Sequence, residues 1–512
     1  MFLYQEPLRS QREFTGRYIS ISFTGKMVVM KNRKFSRALA VFSMFLMFST
    51  AGNAAETGRH FSFAEAWYFV ESRNDSLKAA RSKVQQAEYE QESTTHLDFP
   101  EVSLSAAYLY LDDAVELTPQ DIFASMEGGA QAGQIAAGIA HTYGLNSAQL
   151  QSGLTSTIAE RKNISSSLGL SWPLYTGGRI TAVQGIAADQ TEEAKHDFDL
   201  NRLEQFELLT RYYFGTVLAR KVLETRRAAE ARLKKHNEHA LHLEEQGQIA
   251  RVERMQAEAS YDKAVVERKK AQRDLEIARV AITRLMKSAE PVLPSDDLFI
   301  ADTMPDIDQF MRATLSRYPA LEVIESKRNQ AEGLAAVERG KYLPSVALMG
   351  HYSLYEEDNL ATELTPEWFV GVGLKFTLLD RSGRSEKLLA AKSAVERLEH
   401  TKHQAKSDLS VLVDKTYRHA HQAIEEYQGL QSSRQLARET VQLRMKAFNQ
   451  GLGTSLDVVD AELFLASIET QRAVAAYNSV VALGKLFAIS NRTQAFINCQ
   501  KNEGKGEHQC AL

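Results

Sequence analysis

The stretch "GLGTSLDVVDAEL", Gly451 to Leu463, carries two carboxylates three residues apart, Asp457 and Asp460. On a helix that spacing brings both onto one face. Two kinds of chemistry follow. In the first turn of a helix, acids complement the positive end of the macrodipole and stay solvated. Repeated around a symmetry axis, the same pair makes a negative, cation-binding constriction. His236, His239 and His242 are a second candidate, again at three-residue spacing, and could present their imidazoles together. Lys234 and Lys235 adjoin them, and no carboxylate or Cys ligand completes a recognisable pattern. The expectation there is a solvated charged face and no metal. The chain has no G-x-S-x-G, no Walker-type phosphate loop and no H-E-x-x-H. Neither enzyme chemistry nor a cofactor is expected, and any transport energy must come from a partner.

The elements that position these residues follow from composition and pattern. The 512 residues include only 10 prolines, and Ala, Glu, Gln, Leu, Lys and Arg dominate long tracts, which favours long helices. A net charge of -4 argues against a generally basic nucleic-acid binder. Near the N-terminus, "KNRKFSRALAVFSMFLMFSTAGNAAE" has a basic start, an apolar run from Ala38 to Phe48 and small residues at Gly52 and Ala54. This pattern predicts a secretory signal peptide cleaved after Ala54, since the apolar run is too short to span a bilayer comfortably. Met27 and Met30 offer alternative starts. Beyond residue 54 no run of eighteen apolar residues occurs, so a mature chain that enters a membrane must do so as a closed barrel. The only cysteines, Cys499 and Cys510, lie in a polar tail, where they either pair or stay inert.

The chain repeats itself. At an offset of 244, Leu77, Gln86, Pro100, Val102 and Tyr108 match Leu321, Gln330, Pro344, Val346 and Tyr352. At an offset of 204, Gly169, Leu170 and Gln246-Gly247 match Gly373, Leu374 and Gln450-Gly451. Two copies of one unit are therefore expected. The change of offset places a 40-residue insertion between Tyr108 and Leu168, Gly- and Ala-rich and read as a long loop. Each copy reads as helix, strand, loop, strand, long helix, turn, helix. The divisions are an N-terminal extension with signal peptide (1–54), a first repeat (55–290), a linker (291–305), a second repeat (306–490) and a polar tail (491–512).

Four segments of about ten residues alternate between apolar and small or polar side chains. Their apolar sets are Val102, Leu104, Ala106, Tyr108 and Tyr110; Leu168, Leu170, Trp172 and Leu174; Val346, Leu348, Gly350, Tyr352 and Leu354; and Val370, Val372, Leu374, Phe376 and Leu378. That length crosses a bilayer obliquely, although a half-buried sheet shows the same alternation. Four strands cannot close a spanning barrel, so several copies of the chain must share one. Gly177, Gly178 and Gly383 lie at the strand-to-helix junctions and allow the tight backbone passage there. The proline-free spans from Arg179 to Gln246 and from Arg384 to Gln450 each predict a helix of roughly 100 Å. Leu203, Phe206, Leu209, Tyr213 and Val217 supply a coiled-coil seam. Gly247 and Gly451 end these helices at equivalent places.

Two functions fit: a passive channel, or a structural coiled-coil protein of the cell envelope whose strands form an ordinary head domain. The order of the repeats, with "LGLSWPLYTGGR", "GVGLKFTLLDRSGR" and "GLGTSLDVVDAEL", resembles the TolC-type outer-membrane efflux protein family from about Phe61 to Ile489. The resemblance implies a mainly α fold with a β-barrel portion. Long antiparallel coiled-coil helices would form a trimeric α-barrel tunnel, and each chain would add four strands to a shared transmembrane β-barrel. It implies a belt of mixed structure around the tunnel's middle and a place in the bacterial outer membrane with a periplasmic extension. It also implies a homotrimer in outer-membrane lipid that serves an efflux pump or a type I secretion system, with no nucleic acid. A periplasmic adaptor, or membrane fusion, protein and an inner-membrane pump would be its partners. On this resemblance Asp457 and Asp460, with Phe448, mark the periplasmic aperture, and Gly247 and Gly451 mark the adaptor-docking hairpin tips. Some members latch the aperture with an aromatic residue and an arginine. Phe448 stands at the first position without a hydroxyl and Gly453 at the second.

Overall fold

The computed structural model describes residues 58–144, 155–301, 303–356, 365–379, 381–501 and 510. The expected signal peptide, its cleavage site and the alternative starts lie outside them, as does Asp380 at the second strand–helix passage.

Two very long helices organise everything else. The short strand β1 (Arg59–Phe61) leads into α1 (Phe63–Arg73), α2 (Asp75–Thr95) and the strand β2 (Glu101–Tyr110). An excursion of β3 (Val115–Leu117), α3 (Pro119–Ser125), α4 (Gly129–Thr142) and β4 (Ser156–Ala159) returns as β5 (Lys162–Tyr175). Then come α5 (Arg179–Glu245), α6 (Arg251–Met286) and β6 (Val292–Pro294). The second copy runs through α7 (Ile307–Arg317), α8 (Pro319–Gly340), β7 (Ser345–Glu356), β8 (Trp368–Lys375), α9 (Arg384–Asn449) and α10 (Ser455–Ile489), and α11 (Thr493–Lys501) follows. At 67 and 66 residues, α5 and α9 are each about 100 Å long.

Three sequence expectations need correction here. The helix before each first strand is broken in two, because Asn74 and Tyr318 leave the helical region (ψ 130° and 121°). Asn74 caps α2 through its side-chain oxygen, and Pro319 opens α8. The 40-residue insertion is not a plain loop, for it folds α3, α4 and a two-stranded hairpin. Its alanines carry α4 as a helix in spite of the glycines. The polar tail begins with a docked helix, since Phe496, Ile497 and Cys499 of α11 are buried and Cys499 is bonded to Cys510.

That helix enters the largest core. Phe63 lies between Phe206, Tyr213, Phe214 and Phe496, with ring centroids 5.4–5.6 Å apart. The seam residues Leu203, Phe206, Leu209, Tyr213 and Val217 are all buried on α5. β1 pairs in parallel with β6, and the Tyr213 hydroxyl, which donates to Phe61 O (2.8 Å), accepts from Asp296 N (3.2 Å). This belt of helix and short strand girdles the middle of α5. Helix α10 is the one described helix long and apolar enough to span a membrane by composition. It lies instead between α5 and α9, packed against α11, and most of it is buried.

The four remaining strands form an antiparallel sheet in the order β2-β5-β7-β8. Its register gathers the alternating sets. Val102, Leu170, Gly350 and Val370 form one cross-strand row, and Leu104, Leu168, Tyr352 and Trp368 another. Between them Ser103, Gly169, His351 and Phe369 point to the other face. Pro173 sits at a register shift in β5, where the missing N–H does least harm. β8 stops at Lys375, paired with the first residue of β7, so Phe376 and Leu378 lie beyond the ladder rather than on it.

Phe496→Ala should cost about 3–5 kcal/mol in the belt. Thermal unfolding of the purified protein, with its disulfide intact, measures it. A curve superimposable on that of the parent would show that α11 is no part of the core.

Candidate functional site: sheet face, junctions and hairpin tips

Three places carry the sequence-predicted residues. At the sheet, the apolar face is bare. Val102 is 67% and Leu374 68% exposed, and none of the described helices covers either. A sheet packed on its own helices would have buried them. Among the described residues the edges β2 and β8 are also unpaired on their outer sides.

At the junctions, Gly177 and Gly178 have φ of +66° and +77°, and Gly383 has +63°. Gly178 and Gly383 are the N-caps of α5 and α9. Gly177 is also a close approach, because a Cβ there would stand 2.6 Å from Gly340 O. Sequence reading missed Gly340, whose own Cβ would meet Gly177 O at 2.7 Å. Around this passage the Trp172 indole N–H donates to Asp98 O (2.8 Å). In the second copy the Arg384 guanidinium donates to Lys341 O and Thr377 O, both at 2.9 Å.

At the tips, the two turns are alike. Gly247 and Gly451 share φ +71°, and Gln248 N and Leu452 N each donate back to the carbonyl five residues before (2.8 Å). Asp457 lies in the first turn of α10, where it closes a capping box. Its carboxylate accepts from Thr454 Oγ1 (2.7 Å) and Thr454 N (3.0 Å), and Arg444 stands 3.1 Å away. These hydrogen bonds, with Arg444 adding to them, hold its pKa below the ordinary carboxylate value. Asp460, one turn on, is exposed and has no ion-pair partner among the described residues. Phe448 is not beside them at a surface. It is 1% exposed, packed with Ala240, Leu243, Ala257 and Val458, with its ring 4.7 Å from that of His236.

The histidine expectation is corrected in part. His242 is exposed, but His236 is fully buried, its Nε2 2.8 Å from Ser455 Oγ. Helix α5 turns this side chain inward toward α10, so the adjoining lysines do not mark its environment. Burial, reinforced by His239, lowers its pKa to about 4. Ser455 N in turn donates to the Glu253 carboxylate (2.6 Å), so one buried serine joins α5, α6 and α10. One helical level away, Arg232 Nε meets the buried Glu462 Oε2 at 2.5 Å. Burial raises the Glu462 pKa against the pull of Arg232. The signal for Glu462 was present in sequence, as a lone acid in the apolar run "AELFLA". Nothing comparable marked Ser455.

The outer membrane efflux protein family model matches residues 69–286 and 311–492. The chain belongs to the outer membrane efflux protein family, and so to the bacterial outer membrane, as a channel-tunnel for efflux. Sequence comparison with curated proteins gives no match. Among solved structures, CusC is similar over 86% of this chain and 95% of its own, with 14% identity and a TM-score of 0.66. The CmeC outer membrane channel of Campylobacter jejuni covers 87% and 89% (14% identity, TM-score 0.63). The MtrE outer membrane channel of Neisseria gonorrhoeae, in its open state, covers 88% and 91% (17% identity, TM-score 0.64). These likenesses concern the fold.

The buried imidazole makes the tip sensitive to pH. Packed as it is, His236 resists a proton down to about pH 4, whereas unpacked it binds one near pH 6.5. The packing of α5 on α10 around it is therefore fully supported above about pH 6.5 and weakens as pH falls towards 4, by roughly 3 kcal/mol in all. Amide hydrogen exchange in the first turn of α10 should speed up over that window beyond its intrinsic pH dependence. His236→Gln should flatten the response; an equal response in that variant would remove His236 as its cause.

Proposed function

We propose that the chain is one subunit of a homotrimeric channel-tunnel, the passive exit duct of a tripartite efflux pump. The observation that carries this reading is the four-stranded sheet with its uncovered apolar face and two unpaired edges. In hydrocarbon an unpaired strand edge leaves backbone N–H and C=O groups unsatisfied, and only closure removes the edge. Three copies give twelve strands, an even number within the range of outer-membrane barrels. Joined β8 to β2, they put the rows of Val, Leu, Trp and Tyr against lipid and the rows of Ser, Gly, His and Phe inside.

The helices support the same joint. Packing orders the helical layer as α2 or α6, then α5, then α8 or α10, then α9. Along the α9 edge, Leu389, Val411, Leu436 and Leu443 are exposed and recur at close to whole numbers of turns. Along α6, Val252, Met255, Val266, Ile277 and Val280 make a second exposed stripe. Two different apolar edges on one subunit are what a head-to-tail ring requires.

In that ring the tips of α5–α6 and α9–α10 form the periplasmic end. Asp460, with Asp457 behind it, contributes carboxylates to a narrow mouth, and copies around the axis attract cations. Asp457 is already engaged by Thr454 and Arg444, so Asp460 carries most of the effect. Leu452, exposed beside Gly451, and the Gly247 turn offer the surface for a periplasmic adaptor, which links the duct to a powered inner-membrane pump.

Single-channel recording in planar bilayers tests the aperture. Asp460→Asn should weaken block by divalent cations at least several-fold, and Asp457→Asn should do so less. Block unchanged in the double variant would overturn the assignment. For the tip, Leu452→Asp should reduce cross-linking to the adaptor in cells while leaving the detergent-resistant oligomer intact.

A further inference from the structure

The excursion between β2 and β5 has no counterpart of similar length between β7 and β8. It leaves the sheet at Tyr110, the end of β2 remote from the helices, so it stands at the outer mouth of the barrel. Leu111 N donates to Arg161 O (2.8 Å), and β3 and β4 then pair, so that a short stalk continues the β2–β5 ladder. On this stalk α3 packs against one side of α4: a Cβ on Gly133 would touch the Phe123 ring at 3.5 Å, and Gly129 lies against the Phe123 backbone. The neighbouring side of α4 is bare. Ile135 and Ile139, with Tyr143 at the C-cap, follow one another at four-residue spacing and are 64%, 55% and 81% exposed. Within α4 no acidic residue occurs, and His141 is the only basic one.

Lipid does not suit this stripe. Asp112, Asp113, Glu116, Asp121, Glu127 and Glu160 are exposed around the stalk and hold it in water. What stands next to it is set by the sheet: β2 is the free edge, so the excursion rises at the seam where the next subunit must join. We infer that the Ile135–Ile139–Tyr143 stripe of α4 docks on a second copy of this chain, so that α4 helices of neighbouring subunits meet above the outer mouth of the barrel. The inference rests on the reading of the chain as one subunit of a shared barrel. It adds a constriction on the side opposite the aspartates, built from an uncharged apolar contact.

Cross-linking in intact cells tests it. Cys499 and Cys510 are the only cysteines and are bonded to each other, so an introduced cysteine reacts alone. With a short bis-maleimide, Ile139→Cys should convert most of the protein into covalent dimers. Leu104→Cys combined with Val372→Cys, on the two sheet edges, should link copies independently. If the edge pair links and Ile139→Cys stays monomeric, the docking is overturned and the shared barrel stands. If neither links, the barrel reading falls and the docking with it. A second measurement removes the contact: Ile135→Glu with Ile139→Glu, in protein that keeps its heat-modifiable migration, should raise single-channel conductance about twofold or more. Conductance equal to that of the parent would overturn the meeting of the helices over the mouth.

Discussion

Backbone hydrogen bonding in hydrocarbon is the constraint on which the rest of this molecule depends. Each strand of the β2-β5-β7-β8 sheet needs a neighbour on both sides, and the described residues of one chain supply that for β5 and β7 only. The bare apolar face adds a second demand, for a surface of Val102, Leu104, Val372 and Leu374 has no partner in water. Both demands are met when copies of the chain close a barrel in lipid. The Gly177 and Gly340 backbones touch where β5 passes within a few residues into the hundred-ångström helix α5.

Away from the membrane, stability passes to helix packing. The long helices have little amphipathic contrast over their whole length, because each changes neighbours along its way: α5 meets α2 and α8 in one half, α6 and α10 in the other. The aromatic cluster around Phe63 and Phe496 marks where these sets of neighbours change over. There the short β1–β6 pair and the docked α11 fill the space that helices alone leave open.

At the far end the packing becomes polar and conditional. His236, Ser455 and Glu253 join three helices through buried groups, and Arg232 with Glu462 adds a buried ion pair. Such contacts stabilise only while every partner keeps its place and protonation state. The apolar belt in the middle sets no such condition.

Much of this was legible from residue order. The internal repeat, the alternating strands, the α5 seam and the glycine turns at the tips are local patterns of period 2 or 3.6, fixed by backbone geometry. Local signals erred where a neighbour distant in sequence decides. His236 was placed in water and meets Ser455, and the tail residue Phe496 lies in the central core. Phe448, placed with the aspartates by resemblance alone, is buried against His236. The Gly- and Ala-rich insertion read as a loop because its glycines speak against helix, whereas its alanines carry one. The sequence by itself determined which segments become strand and which become rod, since those choices depend on a residue and its near neighbours. Only the tertiary structure decided which polar groups are buried and which apolar ones stay exposed, because burial is a property of what packs on a side chain and not of the side chain itself.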